Sequence, residues 1–195
     1  EDMKGKPLDW LLAWAHSNVK LSEEQVDAIV RALDHKISII TGGPGTGKTT
    51  CLGTLISVLE SSGHSVSLAS PTGRAAKRLS EATGRPAQTI HRLLGFQPTE
   101  GFKHNESNQL PVDVLIVDEA SMIDILLMNH LLKALQSETH LVLVGDVDQL
   151  PSVGAGNVLK GIIASGVVDL VRLTEVFRQA QASMIITNAH QINQG

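Results

Sequence analysis

The sequence predicts an α/β fold built on a mainly parallel sheet with helices flanking it. Three observations predict it. Short apolar runs alternate with helix-length stretches along the chain. Several of those runs are nearly continuous in Ile, Leu and Val, as strands covered on both faces require. One run leads into a glycine-rich turn and then a helix. The 195 residues suffice for one domain with a real core, and 42% hydrophobic with 18% charged residues is ordinary for a globular chain.

Strands are expected at 37–41, 66–69, 114–117, 141–144 and 170–173. Helices are expected at 8–16 and 22–33 ahead of the first strand, then at 48–61, 74–82, 125–135, 156–164 and 183–194. Residues 1–35 thus read as N-terminal helices and 36–195 as the sheet domain. Ser22 and Gln25 stand three apart, the spacing at which a hydroxyl and an amide cap each other's backbone N–H. The one polar, irregular stretch is 95–111, which contains Phe96, Phe102 and His104. A flexible surface loop and a small inserted hairpin turning around Glu100-Gly101 both fit it.

Composition limits the partners. Net charge is −4, so any nucleic acid must be held by a local track, without a global basic field. Two Trp, three Phe and no Tyr disfavour a binder that stacks many bases on rings. Cys51 is the only cysteine. It excludes an intrachain disulfide and a cysteine metal cluster, and fits a reducing, cytoplasmic compartment. No apolar run reaches transmembrane length and the acidic N-terminus is not a signal peptide, so no membrane association is expected.

Gly42-Gly43-Pro44-Gly45-Thr46-Gly47-Lys48-Thr49 carries the G-x-x-x-x-G-K-[ST] pattern between a strand and a helix. Glycines let the backbone curl so that successive N–H groups face phosphate oxygens. The helix beginning near Lys48 adds the positive end of its dipole. Lys48 reaches the β- and γ-phosphates, and the Thr49 hydroxyl ligates magnesium, which prefers oxygen. The nucleotide-binding set is therefore Gly43, Pro44, Gly45, Thr46, Gly47, Lys48, Thr49 and Thr50.

Val114-Leu115-Ile116-Val117-Asp118-Glu119 is an apolar strand ending in two carboxylates, the place where open parallel sheets bind ligands. Asp118 is expected to hold magnesium and Glu119 to take the proton of an attacking water. An acidic pair that merely suits a helix dipole is the bland alternative. Gln149 follows a further apolar run and Gly145-Asp146. It is either a turn residue or a neutral amide placed to report the γ-phosphate. A GTPase is disfavoured because no Asn-Lys-x-Asp motif occurs, and no acceptor pocket or lid suggests a small-molecule kinase.

Together these segments resemble the first motor domain of RecD-like DNA helicases of superfamily 1B, from about Leu21 to Gly195. The narrower parts of the match are Ser70-Pro71-Thr72-Gly73-Arg74-Ala75-Ala76-Lys77-Arg78, Thr89-Ile90-His91, Gly145 through Gly156, and Phe177-Arg178-Gln179. The resemblance implies a RecA-like P-loop fold that uses ATP and Mg2+. It implies that Gln25 reads adenine, Gln149 senses the γ-phosphate, and Arg178 contacts that phosphate in the transition state. It further implies single-stranded DNA contacts at Pro71, Thr72, Gly73, Arg74 and His91, and a pin hairpin at 95–111. Solvated charge at Arg74 and a packed His91 are the alternatives.

By the same resemblance, movement is expected 5′-to-3′ on single-stranded DNA towards a duplex junction. The implied partners are a second RecA-like domain of the same protein and, in some members, subunits of a nuclease complex. No second such sheet follows here, so the chain reads as one half of a motor, excised from a longer protein. Its own ATPase is expected to be weak and it is not expected to unwind DNA alone. A regulatory P-loop ATPase that does not act on DNA is the competing reading.

Overall fold

The sheet grows outward from β1 (Ile37–Gly42), whose side chains are buried on both faces from Ser38 onward. In the computed structural model of the chain, residues 19–177 are described, together with Trp10 and Ala13. Among them β2 is Val66–Ser70, β3 Ala87–Thr89, β6 Val114–Val117, β7 His140–Gly145 and β8 Asp169–Leu173. The order across the sheet is β3-β2-β6-β7-β1-β8, and every pairing is parallel. Parallel pairing demands crossovers, and these are supplied by α2 (Lys48–Ser61), α3 (Gly73–Thr83), α5 (Ile125–Lys133) and α6 (Val158–Ser165). Ahead of β1 lies α1 (Glu23–Asp34).

Alternation along each strand divides the core in two. Ile40, Leu68, Ile116, Val142 and Val144 face α1, α2 and α3. Ile39, Ala69, Leu115, Val117, Leu141 and Leu143 face α5, α6 and the short α4 (Ile90–Leu93). The apolar runs lack a polar period for this reason: both faces of the sheet are covered.

The expected strands all form. The structure adds β3, whose sequence Ala-Gln-Thr has no apolar signal and pairs only with β2 at the sheet's edge. Two helices are shifted from expectation. The one expected at 125–135 ends at Lys133, and the one expected at 156–164 is Val158–Ser165. Gly156 sits at φ +97, a conformation outside the helix. The helices expected at 8–16 and 183–194, and Arg178 with them, lie outside the described residues, apart from Trp10 and Ala13.

Residues 95–111 settle between the two sequence readings in favour of a hairpin. β4 (Phe96–Gln97) and β5 (Gly101–Phe102) pair antiparallel. The turn falls at 98–100, earlier than the expected Glu100-Gly101: Glu100 N–H donates to the Gln97 carbonyl at 3.2 Å, and Gly101, at φ +79, already opens the return strand. The segment is anchored at its base. His104 N–H donates to Leu94, Leu110 N–H to Ala134, and Leu110 is buried. An isolated hairpin of this size would be marginal; packing on α4 and α5 supplies what the turn alone lacks.

Ile116 is fully buried in β6, between β2 and β7. Ile116→Ala should cost about 2–5 kcal/mol through lost burial and the cavity left behind. Urea denaturation measures this; a loss under about 1 kcal/mol would show that the sheet centre is not packed as described.

Candidate functional site

All five site segments leave the sheet at the C-terminal ends of parallel strands. Gly42 of β1 leads into the glycine loop, and Ser70 of β2 into Pro71-Thr72. Val117 of β6 leads to Asp118-Glu119, Gly145 of β7 to Asp146, and Leu173 of β8 to Thr174. The registers pair Thr41 with Gly145, Gly42 with Leu173, and Val117 with Leu143, so these ends lie on one edge.

The loop has the curvature its glycines suggested. Gly45 and Gly47 adopt φ +81 and +75, a region costly for any residue with a Cβ. A Cβ on Gly42 would meet the Thr46 hydroxyl at 2.6 Å and the Leu173 carbonyl at 2.7 Å. The Thr46 hydroxyl donates to the Gly43 carbonyl at 2.9 Å, tying the loop across its base. Gly47 precedes α2 and offers no side-chain cap. The first-turn N–H groups of α2 therefore point out of the helix without a capping side chain, an anion site by construction.

The Lys48 ammonium turns into the loop, donating to the Gly42 and Gly43 carbonyls at 2.5 and 2.9 Å. Burial pushes its pKa down, and Asp146, Asp118 and Glu119 oppose that shift with their negative charge. Burial likewise pushes Asp118 up; a backbone N–H from Glu119 and the charge of Lys48 act against it. Glu119 is also raised, by burial and then by repulsion from Asp118 and Asp146, with Lys48 and Arg78 pulling the other way. Its backbone stands at φ +56, ψ +39, left-handed for a residue with a long side chain. Such strain costs about 1–3 kcal/mol and persists where surrounding structure imposes it.

The loop is also met from α1. Gln25 is 1% exposed. Its Oε1 accepts from Ser22 N–H at 3.0 Å while Ser22 Oγ accepts from Gln25 N–H at 3.3 Å, the capping box foreseen in the sequence. Its Nε2 donates to the Gly47 carbonyl at 3.1 Å. One N–H and one lone pair of the amide remain. Gln25, Val19, Lys20, Phe177 and residues 45–50 enclose a cleft of about 590 Å³. Thr49 and Thr50 are exposed on its rim.

Other expected residues stand apart from this cleft. Gln149 is exposed in the turn after β7, its N–H donating to the Asp146 carbonyl at 3.3 Å, and does not line the cleft. Thr72 caps α3, accepting from Ala75 N–H at 3.2 Å. Gly73 and Arg74 are exposed beside it, with Pro71 half-buried. His91 is both packed and exposed: its ring lies 5.5 Å from Phe96 and 5.7 Å from Phe102, and the Phe102 ring lies tilted against His130 at 4.4 Å.

Sequence reasoning missed Asp146 and Phe177. Asp146 is 3% exposed and is one of the three acids around Lys48. The signal was present, since an apolar run ending in an acid is the same pattern that singled out Asp118. Phe177 lies over Gly47, where an added Cβ would meet its ring at 2.7 Å, and its N–H donates to the Gly45 carbonyl at 3.2 Å. Nothing local in the sequence distinguishes that phenylalanine from a core residue.

A family model described as an AAA domain matches residues 25–155. The ATP-dependent RecD2 DNA helicase of Deinococcus radiodurans is 46% identical over 175 residues, covering 90% of this chain and 24% of that protein. The RecBCD enzyme subunit RecD of Mycolicibacterium smegmatis is 42% identical over 177 residues, covering 76% of this chain and 32% of that protein. Among solved structures, the Pif1 helicase from Candida albicans superposes with a TM-score of 0.66 at 26% identity, over 86% of this chain and 42% of that one. A structure of two coordinating Pif1 helicases unwinding forked double-stranded DNA gives a TM-score of 0.59 at 26% identity, over 81% of this chain and 44% of that one. The chain therefore spans about a quarter to a third of the length of these curated relatives. The fold is RecA-like, as these neighbours are. Among the described residues no helix is long and apolar enough to cross a membrane.

Gly47→Ala should lower affinity for ATP with magnesium at least about ten-fold, because the new methyl group strains φ and collides with the Gln25 amide and the Phe177 ring. Gly53→Ala, within α2 and with open space around its Cβ, should leave affinity unchanged. Isothermal titration of both variants checks this; equal affinities would mean the loop tolerates a Cβ at Gly47.

Proposed function

Because this chain belongs to the AAA domain family and is homologous to the RecD and RecD2 DNA helicases, we propose that it is the ATP-binding and hydrolysing motor domain of a 5′-to-3′ DNA helicase. The observation that carries the reading is the Lys48 ammonium, held in the glycine loop and facing three carboxylates from two neighbouring strand ends. A loop that binds phosphate and an acid that accepts a water proton are what nucleoside triphosphate hydrolysis needs.

Roles divide by chemistry. The loop N–H groups from Gly43 to Thr50 and the Lys48 ammonium bind the phosphates. The Thr49 hydroxyl and Asp118 carboxylate are hard oxygen donors and fit magnesium, which commonly takes one or two protein oxygens beside those of phosphate and water. Bound there, the ion would neutralise charge on the phosphate oxygens. Glu119 receives the proton of the attacking water; its raised pKa brings it nearer the range of an effective base. Gln25 and Phe177 form the base side of the cleft. Gln149 and Arg178 are assigned to the γ-phosphate, and the exposed position of Gln149 leaves it to act when a second RecA-like domain closes the cleft.

The DNA track is assigned to the same edge, one strand further out. Pro71, Thr72, Gly73 and Arg74 follow β2, and His91 follows β3. Arg74, Lys77 and Arg78 present exposed positive charge, although Lys77 shares its own with Glu81 at 3.8 Å. The β4–β5 hairpin is the pin that obstructs the second strand at a junction. Phe96, 46% exposed, stands at its base against His91 and Phe102. The relative in M. smegmatis is named as a RecBCD enzyme subunit and that in D. radiodurans as an ATP-dependent DNA helicase. Either setting, within a nuclease complex or outside it, is open to this domain.

Glu119→Gln should retain binding of ATP with magnesium and reduce turnover by at least about a hundred-fold, the usual worth of a general base, in a protein that supplies the second domain. Asp118→Asn should instead weaken the magnesium dependence of binding. Identical behaviour of the two variants in titration and in phosphate release would overturn this division.

The pin is tested by trimming only 97–101 to a short Gly/Ser link, since Phe102 and Leu110 are packed. DNA-stimulated ATPase should persist while strand separation falls about ten-fold or more. If both stay at the unmodified level in a forked-duplex assay, the hairpin is only a loop.

A further inference from the structure

Glu24 is the neighbour of Gln25, and its side chain does not point along α1 to solvent. Its carboxylate accepts three hydrogen bonds from a segment 150 residues away in sequence: Thr174 N–H at 2.6 Å, Thr174 Oγ1–H at 2.5 Å and Glu175 N–H at 3.2 Å. Burial alone would raise its pKa, yet these three donors hold it below the ordinary carboxylate range. That is the signature of a charge used as a fastener.

The fastened segment leads into the cleft. Three residues beyond Thr174, Phe177 N–H donates to the Gly45 carbonyl and the phenylalanine ring lies over Gly47, lining the same cleft as Gln25. Residues 174–177 have no regular secondary structure to hold them. They are tied at one end by Glu24 and at the other by the loop itself. Glu23, one residue earlier on the same helix, is exposed and makes no comparable bond to this segment. The helix therefore presents two adjacent side chains to two different walls of one cleft: Gln25 to the glycine loop and Glu24 to the strap that carries Phe177.

We propose that Glu24 is a positioning residue for base selection: by clamping Thr174 and Glu175 it fixes the Phe177 wall against Gln25, so that affinity depends on the purine and not on the phosphates alone. The inference rests on the ATP-site reading above and extends it. Phosphate binding belongs to the loop and to α2, which do not need the clamp. Base binding needs both walls at a fixed separation. The two contributions separate when nucleotide and bare phosphate chain are compared.

The test measures dissociation constants of the full chain, with magnesium, for ATP, GTP and inorganic tripolyphosphate. Glu24→Ala should weaken ATP about ten-fold, the order expected from losing a charge-assisted bond. The ATP-over-GTP preference should narrow, and tripolyphosphate should stay within about two-fold. Glu24→Gln keeps one acceptor oxygen and should fall between wild type and the alanine variant. Thr174→Val removes only the hydroxyl donor and should weaken ATP about three-fold; it provides the test if Glu24→Ala does not fold. Glu23→Ala should match wild type. A parallel loss of ATP and tripolyphosphate in the Glu24 variants would show that the clamp only supports the fold, and would overturn the proposal. Unchanged ATP affinity and base preference would overturn it equally. If wild type binds neither ATP nor tripolyphosphate, the ATP-site reading itself falls, before Glu24 is at issue.

Discussion

Everything at the working edge of this domain depends on keeping a lysine charge in a place that disfavours it. The Lys48 ammonium is half-buried, bonded to two loop carbonyls, and acted on by the charges of Asp118, Glu119 and Asp146. A buried cation without such partners would lose its proton or unfold its surroundings. The carboxylates have the mirror-image problem: three negative charges brought together inside a protein need a cation. Each side therefore makes the other tolerable. A parallel sheet can bring them together because all its strands end at the same edge. Antiparallel neighbours would send the acids of β6 and β7 to opposite ends.

The same edge explains why glycine matters here in two different ways. At Gly47 the requirement is double, a left-handed backbone and the close approach of the Gln25 amide and Phe177 ring. At Gly145 it is proximity alone, because a Cβ would come within 3.3 Å of the backbone nitrogens of Ser121 and Ala120. That close approach packs the turn carrying Glu119 against the end of β7, beside Asp146. Loop, acid turn and strand end are thus spaced by missing side chains as much as by present ones.

The sheet was legible because its strands are buried on both faces and so write themselves as unbroken apolar runs. The phosphate loop and Asp118-Glu119 were legible because their chemistry is local, needing a fixed spacing within one strand-turn unit. What escaped was whatever depends on two distant segments. β3 exists because β2 offers it an edge, and its Ala-Gln-Thr composition gives no hint of that. Gln25 could be read as a cap or as a base reader, and the structure has it capping α1 and bracing Gly47 at once. Phe177 and Glu24 acquire meaning only when β8 ends beside α1, a contact across 150 residues. His91 is packed against Phe96 and Phe102 and yet exposed, so the packing expected of it does not withdraw it from solvent.

One electrostatic link joins the two halves of the edge. Arg78, on α3, is exposed, yet its charge lowers the pKa of Glu119. Lys48 contributes in the same direction from the phosphate side, and burial with Asp118 and Asp146 opposes both. Glu119 therefore feels two cations, one in the glycine loop and one on the helix that follows Pro71-Thr72. A phosphate group that paired with Arg78 would remove part of that stabilisation and push the Glu119 pKa further up, making it more avid for a proton. A phosphate that paired with Lys48 would act with the same sign. The proton affinity of Glu119 thus responds to what occupies both neighbours. It follows from the order of strands β2-β6-β7-β1: β6 lies beside β2, which leads to the helix of Arg78, and one strand away from β1, which leads to Lys48.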